Sequence, residues 1–120
     1  MDQSSLFGAI ALVGLAVYGY VRMFRSGGSV GQLKALLPDA LIIDVRTSAE
    51  YRSGHFSGAV NIPVDRIAKN EKRLGDKTTP IILYCASGSR AKQARRIIKS
   101  MGYNQVHIGG SLASMQRLTA

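Results

Sequence analysis

The sequence predicts an α/β fold, a small parallel sheet flanked by helices, preceded by one transmembrane helix. Three observations predict it. Ala40-Leu-Ile-Ile ahead of Asp44 and Pro80-Ile-Ile-Leu-Tyr84 are short continuous apolar runs, the pattern of strands buried on both faces. Helical segments alternate with these runs, which is the order of a parallel sheet. Residues 3–21 carry no charge, whereas every one of the 16 basic residues lies at or after Arg22.

With 120 residues, the chain is expected to hold one domain besides this apolar segment. Apolar residues make up 46% and charged residues 19%, which excludes a disordered polyampholyte, a collagen-like chain and a coiled coil. The single cysteine excludes an intramolecular disulfide framework and any zinc site needing two cysteines. The net charge of +9 is concentrated after residue 21.

The N-terminal segment comes first. Leu6 to Val21 is apolar but for two tyrosine hydroxyls, and extended to Phe24 the run has 19 residues. At 1.5 Å per residue that is roughly 28 Å, against a hydrocarbon thickness of about 30 Å. Tyr18, Tyr20 and Phe24 stand at the basic end, as an interfacial belt would. A secretory signal would open on positive charge and end in a small-x-small cleavage site; Met-Asp-Gln-Ser-Ser and Tyr-Gly-Tyr-Val-Arg fit neither. A fully apolar core helix of this length would need a larger protein around it. The reading is therefore a membrane anchor over residues 1–25 and a second domain over residues 26–120. Arg22, Arg25 and Lys34 follow the span and no Lys or Arg precedes it. The positive-inside rule then makes a single-pass membrane protein, N-terminus outside and residues 22–120 in the cytoplasm. No Gly-x-x-x-Gly pair supports dimerisation of the span.

Ser26-Gly-Gly-Ser29 reads as a flexible linker. Ser29 caps a short helix, Val30 to Leu37, with Val30, Leu33, Leu36 and Leu37 on one face; Pro38-Asp39 ends it. A strand follows over residues 40–44. Thr47-Ser-Ala-Glu50 is a capping box that starts a short helix. Gly54 to Gly58 is a turn-rich loop, and Ala59 to Ile62 a short strand stopped by Pro63. Val64 to Leu74 reads as a helix and residues 75–80 as a connector. A second buried strand covers residues 80–84. Gly88 to Met101 is a helix with Ala91, Ala94, Ile98 and Met101 on its apolar side, ended by Gly102. Gln105 to Ile108 is a third strand, and Gly109-Gly110 turns into a last short helix. Ligands of such sheets bind at the carboxyl ends of strands, where Asp44 and Cys85 stand.

Tyr84-Cys85-Ala86-Ser87-Gly88-Ser89-Arg90 carries the chemistry. Small residues let successive backbone N–H groups converge into an anion-binding nest. The helix N-terminus adds roughly half a positive charge there. Arg90 adds a forked cation. All three favour thiolate over thiol at Cys85. A lone cysteine is more commonly a small buried hydrophobe; the loop around this one argues for a nucleophile beside a cradle for a second anion.

Residues 30–118 resemble a single-domain rhodanese, a sulfurtransferase module. The matching pieces are Asp44-Val-Arg46, Glu50-Tyr-Arg-Ser-Gly54-His55-Phe-Ser-Gly58-Ala59-Val-Asn61-Ile-Pro63, Tyr84-Cys85-Ala-Ser-Gly88-Ser-Arg90 and Gly109-Gly110, in the family's order. The resemblance implies that Cys85 takes sulfane sulfur from a thiosulfate-like anionic donor and passes it to a thiol, cyanide or a protein acceptor. The backbone N–H groups of Ala86, Ser87, Gly88, Ser89 and Arg90 would hold the sulfur's charge, and Arg90 would steer the donor. Two half-reactions with ping-pong kinetics follow. No cofactor and no metal is expected. The related phosphatases have one more residue between Cys and Arg than the Cys-x4-Arg spacing here, which argues against a phosphatase; arsenate reduction is a remoter option. A non-enzymatic docking module of the same fold is the other alternative. The family often has a Trp shortly after the Gly-Gly, where this chain has Ser111-Leu-Ala-Ser-Met115.

Asp44 and Arg46 are expected to form an ion pair or loop hydrogen bonds near the site, with Arg46 facing Glu50 or reaching the substrate. His55 is expected to be structural, since a low-pKa thiolate needs no base, and so is His107. Lys92, Arg95, Arg96 and Lys99 form one basic stripe, and Arg66, Lys69 and Arg73 another. These are solvated faces, or surfaces for anionic headgroups or an acidic sulfur carrier. Nucleic acid is not expected, because no aromatic platform is interleaved with the charges.

Overall fold

The computed structural model describes residues 29–120, together with Val13, Gly14, Ala16 and Val17, which are helical and exposed. Among the described residues no helix is long and apolar enough to cross a membrane. The anchor expected at residues 1–25 lies, apart from those four positions, outside the described residues.

Four parallel strands form one sheet: β1 (Leu41–Asp44), β2 (Val60–Asn61), β3 (Ile81–Cys85) and β4 (Val106–Ser111), in the order β2-β1-β3-β4. The α-helices are α1 (Val30–Leu36), α2 (Ser48–Ser53), α3 (Ser89–Ser100) and α4 (Leu112–Arg117). The alternation of strand and helix gives the expected parallel sheet, since each parallel pair needs a crossover between its strands.

Successive side chains of a strand point to opposite faces, and both faces are covered here. Ile43, Ile81, Leu83 and Val106 meet Ile67, Leu74, Ala91, Ala94 and Ile98 on one side. Ile42, Ile82 and Tyr84 meet Leu33, Phe56, Met115 and Leu118 on the other. Every residue of β3 is buried, which explains the uninterrupted apolar run. Fully burying one such side chain contributes about 1.5–3 kcal/mol.

Two elements differ from the sequence reading. The helix expected over Val64–Leu74 is two 3-10 segments, Val64–Lys69 and Glu71–Leu74. Asn70 separates them at φ −121° and ψ 32°, and its side-chain amide donates to the Arg66 carbonyl at 2.8 Å. Val64 and Ile67, then Glu71 and Leu74, are three apart, the spacing that stacks one above another at three residues per turn. The last strand does not stop at Ile108 but runs to Ser111. A shift in register makes this possible: Leu83 pairs with Ile108 and Tyr84 with Gly110, so Gly109 is the extra residue of a bulge. A Cβ on Gly109 would lie 2.2 Å from the Met115 sulfur and 3.2 Å from Ile82 Cγ2. Met115, fully buried, thus fills the space against a strand residue that has no side chain.

Candidate functional site

β3 delivers Cys85 to its carboxyl end, where the residue is fully buried. The chain turns through Ala86 and Ser87 and enters α3 at Gly88, whose φ of +97° suits glycine alone without strain. That turn aims the Gly88 N–H back at the cysteine, 2.9 Å from Sγ. Gly110, from the bulged strand, lies beside it: a Cβ on Gly88 would stand 3.9 Å from the Gly110 Cα. Ala86, Ser87 and Ser89 are exposed on the outer side of the loop, with the Ser87 and Ser89 hydroxyls 3.4 Å apart.

Two influences oppose each other at the thiol. Burial is the largest single one and pushes its pKa up. Hydrogen bonds from the backbone N–H groups of Ala91, Ser87, Gly88 and Arg90 together outweigh it, and the pKa lies below the ordinary thiol value. Fixed N–H dipoles at a helix N-terminus therefore favour the thiolate in an otherwise apolar place. The sequence singled out Ala86 to Arg90 as the cradle. The structure adds Ala91, the third residue of α3, which the run of small residues alone does not mark out.

Arg90 does not point freely into solvent. Its Nη1 and Nη2 donate to Glu50 Oε1 and Oε2 at 2.7 and 3.0 Å, a two-pronged pair between α3 and α2. Glu50 is itself held. Thr47 caps α2, accepting from the Glu50 N–H at 3.2 Å and donating from its own N–H and hydroxyl to Glu50 Oε1, both at 3.1 Å. The Arg90 hydrogen bond, then the Thr47 backbone, bring the Glu50 pKa down to about 2. The carboxylate is charged at any working pH.

Arg46 does not face Glu50, contrary to the expectation from sequence. Arg46 lies in the bend after β1, where its N–H donates to Asp44 Oδ1 at 2.9 Å, and that turn brings the two side chains together. Arg46 Nε donates to Asp44 Oδ1 and Oδ2 at 3.0 and 3.1 Å, and Nη2 to Oδ2 at 2.7 Å. Nη2 also donates to the Gly54 carbonyl at 2.6 Å. Both side chains are buried. The Arg46 guanidinium carbon lies over the Tyr84 ring, 5.7 Å from its centroid. Burial pushes the Tyr84 hydroxyl up to about 12, so it stays protonated, and it accepts from the Phe56 N–H at 2.9 Å. His55 is exposed, stacked on Tyr51 with centroids 3.7 Å apart, and its Nδ1 lies 2.9 Å from the Tyr51 carbonyl.

A hollow of about 790 Å³ is lined by Ile42, His55, Phe56, Gly58 and Gln116 among others. No residue of the Cys85 loop lines it, so this hollow lies apart from the cysteine chemistry. Chemistry locates the site better: the N–H groups, the thiol and the guanidinium converge on the loop.

Residues 29–113 match the family described as "Rhodanese-like domain". The tRNA uridine(34) hydroxylase of Escherichia coli is 37% identical over 86 residues, which are 67% of this chain and 25% of that protein. The chain thus spans about a quarter of the length of such curated relatives. An E. coli rhodanese structure, described as containing anions, is 33% identical with a TM-score of 0.60, over 62% of this chain and 89% of that one. The human single-domain sulfurtransferase TSTD1 has the same fold, with a TM-score of 0.66 at 24% identity over 75% of this chain and 94% of that one. The cradle, the sheet beneath it and the match over residues 29–113 lead to one conclusion: the chain belongs to the rhodanese family.

Proposed function

We propose that the protein is a rhodanese-type sulfurtransferase that carries sulfane sulfur on Cys85. The observation that supports this most is the buried Cys85 sulfur, 2.9 Å from the Gly88 N–H at the mouth of α3. The Cys85 thiolate attacks the outer sulfur of a donor such as thiosulfate. The S–S bond of the donor breaks, sulfite leaves with the electron pair, and Cys85 becomes a persulfide. The terminal sulfur keeps one negative charge, which the N–H groups of Ala86 to Ala91 hold. An acceptor then takes the neutral sulfur atom: cyanide leaves as thiocyanate, and Cys85 returns as thiolate. A thiol or a partner protein can serve in the same way. Sequence holds no second cysteine to resolve the persulfide.

We further propose that residues 1–25 tether the domain to a membrane, N-terminus outside, with residues 22–120 cytoplasmic. The uncharged residues 3–21 followed by Arg22 and Arg25 support this. The hydroxylase activity of the E. coli relative is not carried over, because the likeness covers a quarter of that protein.

The test is intact mass of the full chain with and without thiosulfate, beside Cys85→Ser. One added sulfur on the unmutated chain only, removed by cyanide as thiocyanate appears, is the expected result. No gain with thiosulfate or any other sulfane donor would overturn the reading in favour of a docking module. Alkaline extraction and protease protection of the expressed chain test the tether and its orientation.

A further inference from the structure

Arg90 is the cation expected to draw an anionic donor to Cys85, yet both its terminal nitrogens are engaged by Glu50. We infer that Glu50 determines which sulfur donor the site accepts, by cancelling the Arg90 charge at the start of α3 and so penalising each negative charge a donor carries, dianions most, monoanions less and neutral donors not at all. The inference rests on the sulfur-transfer reading for its biological meaning, though not for its test.

Four observations lead to it. The pair is two-pronged and short, so charge on one partner is met directly by charge on the other. Glu50 cannot swing away at little cost, because Thr47 holds the same Oε1 with its N–H and its hydroxyl. The carboxylate stays ionised, with a pKa of about 2. The pair is about one-third exposed, 31% for Arg90 and 35% for Glu50, so an arriving donor meets both charges and not the guanidinium alone. What remains for an anion is the set of N–H dipoles around Cys85. Together they suit about one unit of negative charge, as on the terminal sulfur of a persulfide. A dianion such as thiosulfate brings a second charge toward the carboxylate. A monoanionic organic persulfide brings less charge toward it, and a neutral trisulfide none.

The deciding experiment uses Glu50→Gln in the full chain, which keeps an oxygen for Thr47 and Arg90 while removing the charge. Alkylation of Cys85 is followed with neutral iodoacetamide and with anionic iodoacetate. In both reactions the thiolate displaces iodide, so any change in thiolate fraction cancels in the ratio of the two rates. The substitution is expected to raise the iodoacetate-to-iodoacetamide ratio about three- to tenfold, the size of one unit charge acting across a partly screened gap. The gain is expected to shrink in high salt, while the unmutated chain shows a flat ratio. A ratio unchanged within twofold, or lowered, overturns the inference. With sulfur donors, kcat/KM for thiosulfate is expected to rise relative to that for an organic persulfide; equal changes for both would make Glu50 a mere support for Arg90 and overturn it too. Sulfur transfer failing with every donor while the alkylation ratio responds would sink the proposed function and leave the charge effect standing.

Discussion

The site holds two arginine–carboxylate pairs that look alike and do different work. Asp44–Arg46 lies within one strand end, with its side chains 0% and 8% exposed. Glu50–Arg90 bridges two helices at the surface. Asp44 and Arg46 also satisfy backbone groups: the Arg46 N–H donates to Asp44 Oδ1, and Asn61 donates to the carbonyls of both residues. The buried pair therefore ties β1, the loop at Gly54 and β2 together. The exposed pair ties no backbone beyond its own capping box. Burial is what separates a pair that holds the fold from one that sets the field above the cysteine.

Breaking the buried pair gives the largest expected effect. Asp44→Ala leaves the Arg46 guanidinium buried without its carboxylate, and about 3–5 kcal/mol of stability should be lost. Urea unfolding followed by circular dichroism measures it. A loss below about 1 kcal/mol would place Asp44–Arg46 in the same class as the surface pair. Thr47→Ala comes next. It removes the N-cap of α2 and one hydrogen bond that steadies Glu50, and about 1 kcal/mol is expected. The same variant should let Glu50 move, so its alkylation ratio should fall between those of the unmutated chain and Glu50→Gln.

Glu50→Gln is expected to cost the least stability, under about 1 kcal/mol near neutral pH, since the pair is solvent-screened. Its signature is in the pH dependence. The folded-state pKa is depressed from 4.5 to about 2. The carboxylate therefore contributes stability above about pH 4.5, and the contribution is lost as pH falls toward about 2. Urea midpoints between pH 6 and pH 2.5 should drop less steeply for Glu50→Gln than for the unmutated chain. Parallel slopes would mean that Glu50 is not perturbed by Arg90.

How much of this the sequence made legible follows from the range of each interaction. The cradle was legible because its parts are contiguous: a strand end, small residues, a helix start and an arginine within Tyr84–Arg90. The box of Thr47 and Glu50 was legible at three-residue spacing. The Glu50–Arg90 pair was not, because 40 residues separate the partners. Only the adjacency of β1 and β3 brings the elements that follow them side by side. An Asp44–Arg46 ion pair was among the expectations; the alternative that Arg46 faces Glu50 fails because the bend after β1 turns Arg46 back onto Asp44. The 3-10 segments were not legible because Val64, Ile67 and Leu74 fit one face of an α-helix. The bulge at Gly109 was missed because a double glycine marks a turn and a bulge alike.

The placement of Cys85 has a consequence for lifetime. β3 is paired on both sides and fully buried, and the cysteine is its last residue. Local openings that expose backbone at chain ends and loops reach such a strand only when the domain as a whole unfolds. On the proposed function, a sulfur atom parked on Cys85 would be reached only from the loop side. Its residence time would then be governed by what can enter there, and the stability of the domain would become the stability of the stored persulfide. Hydrogen exchange at the Leu83 amide and persulfide decay without an acceptor should then slow together as the fold is stabilised.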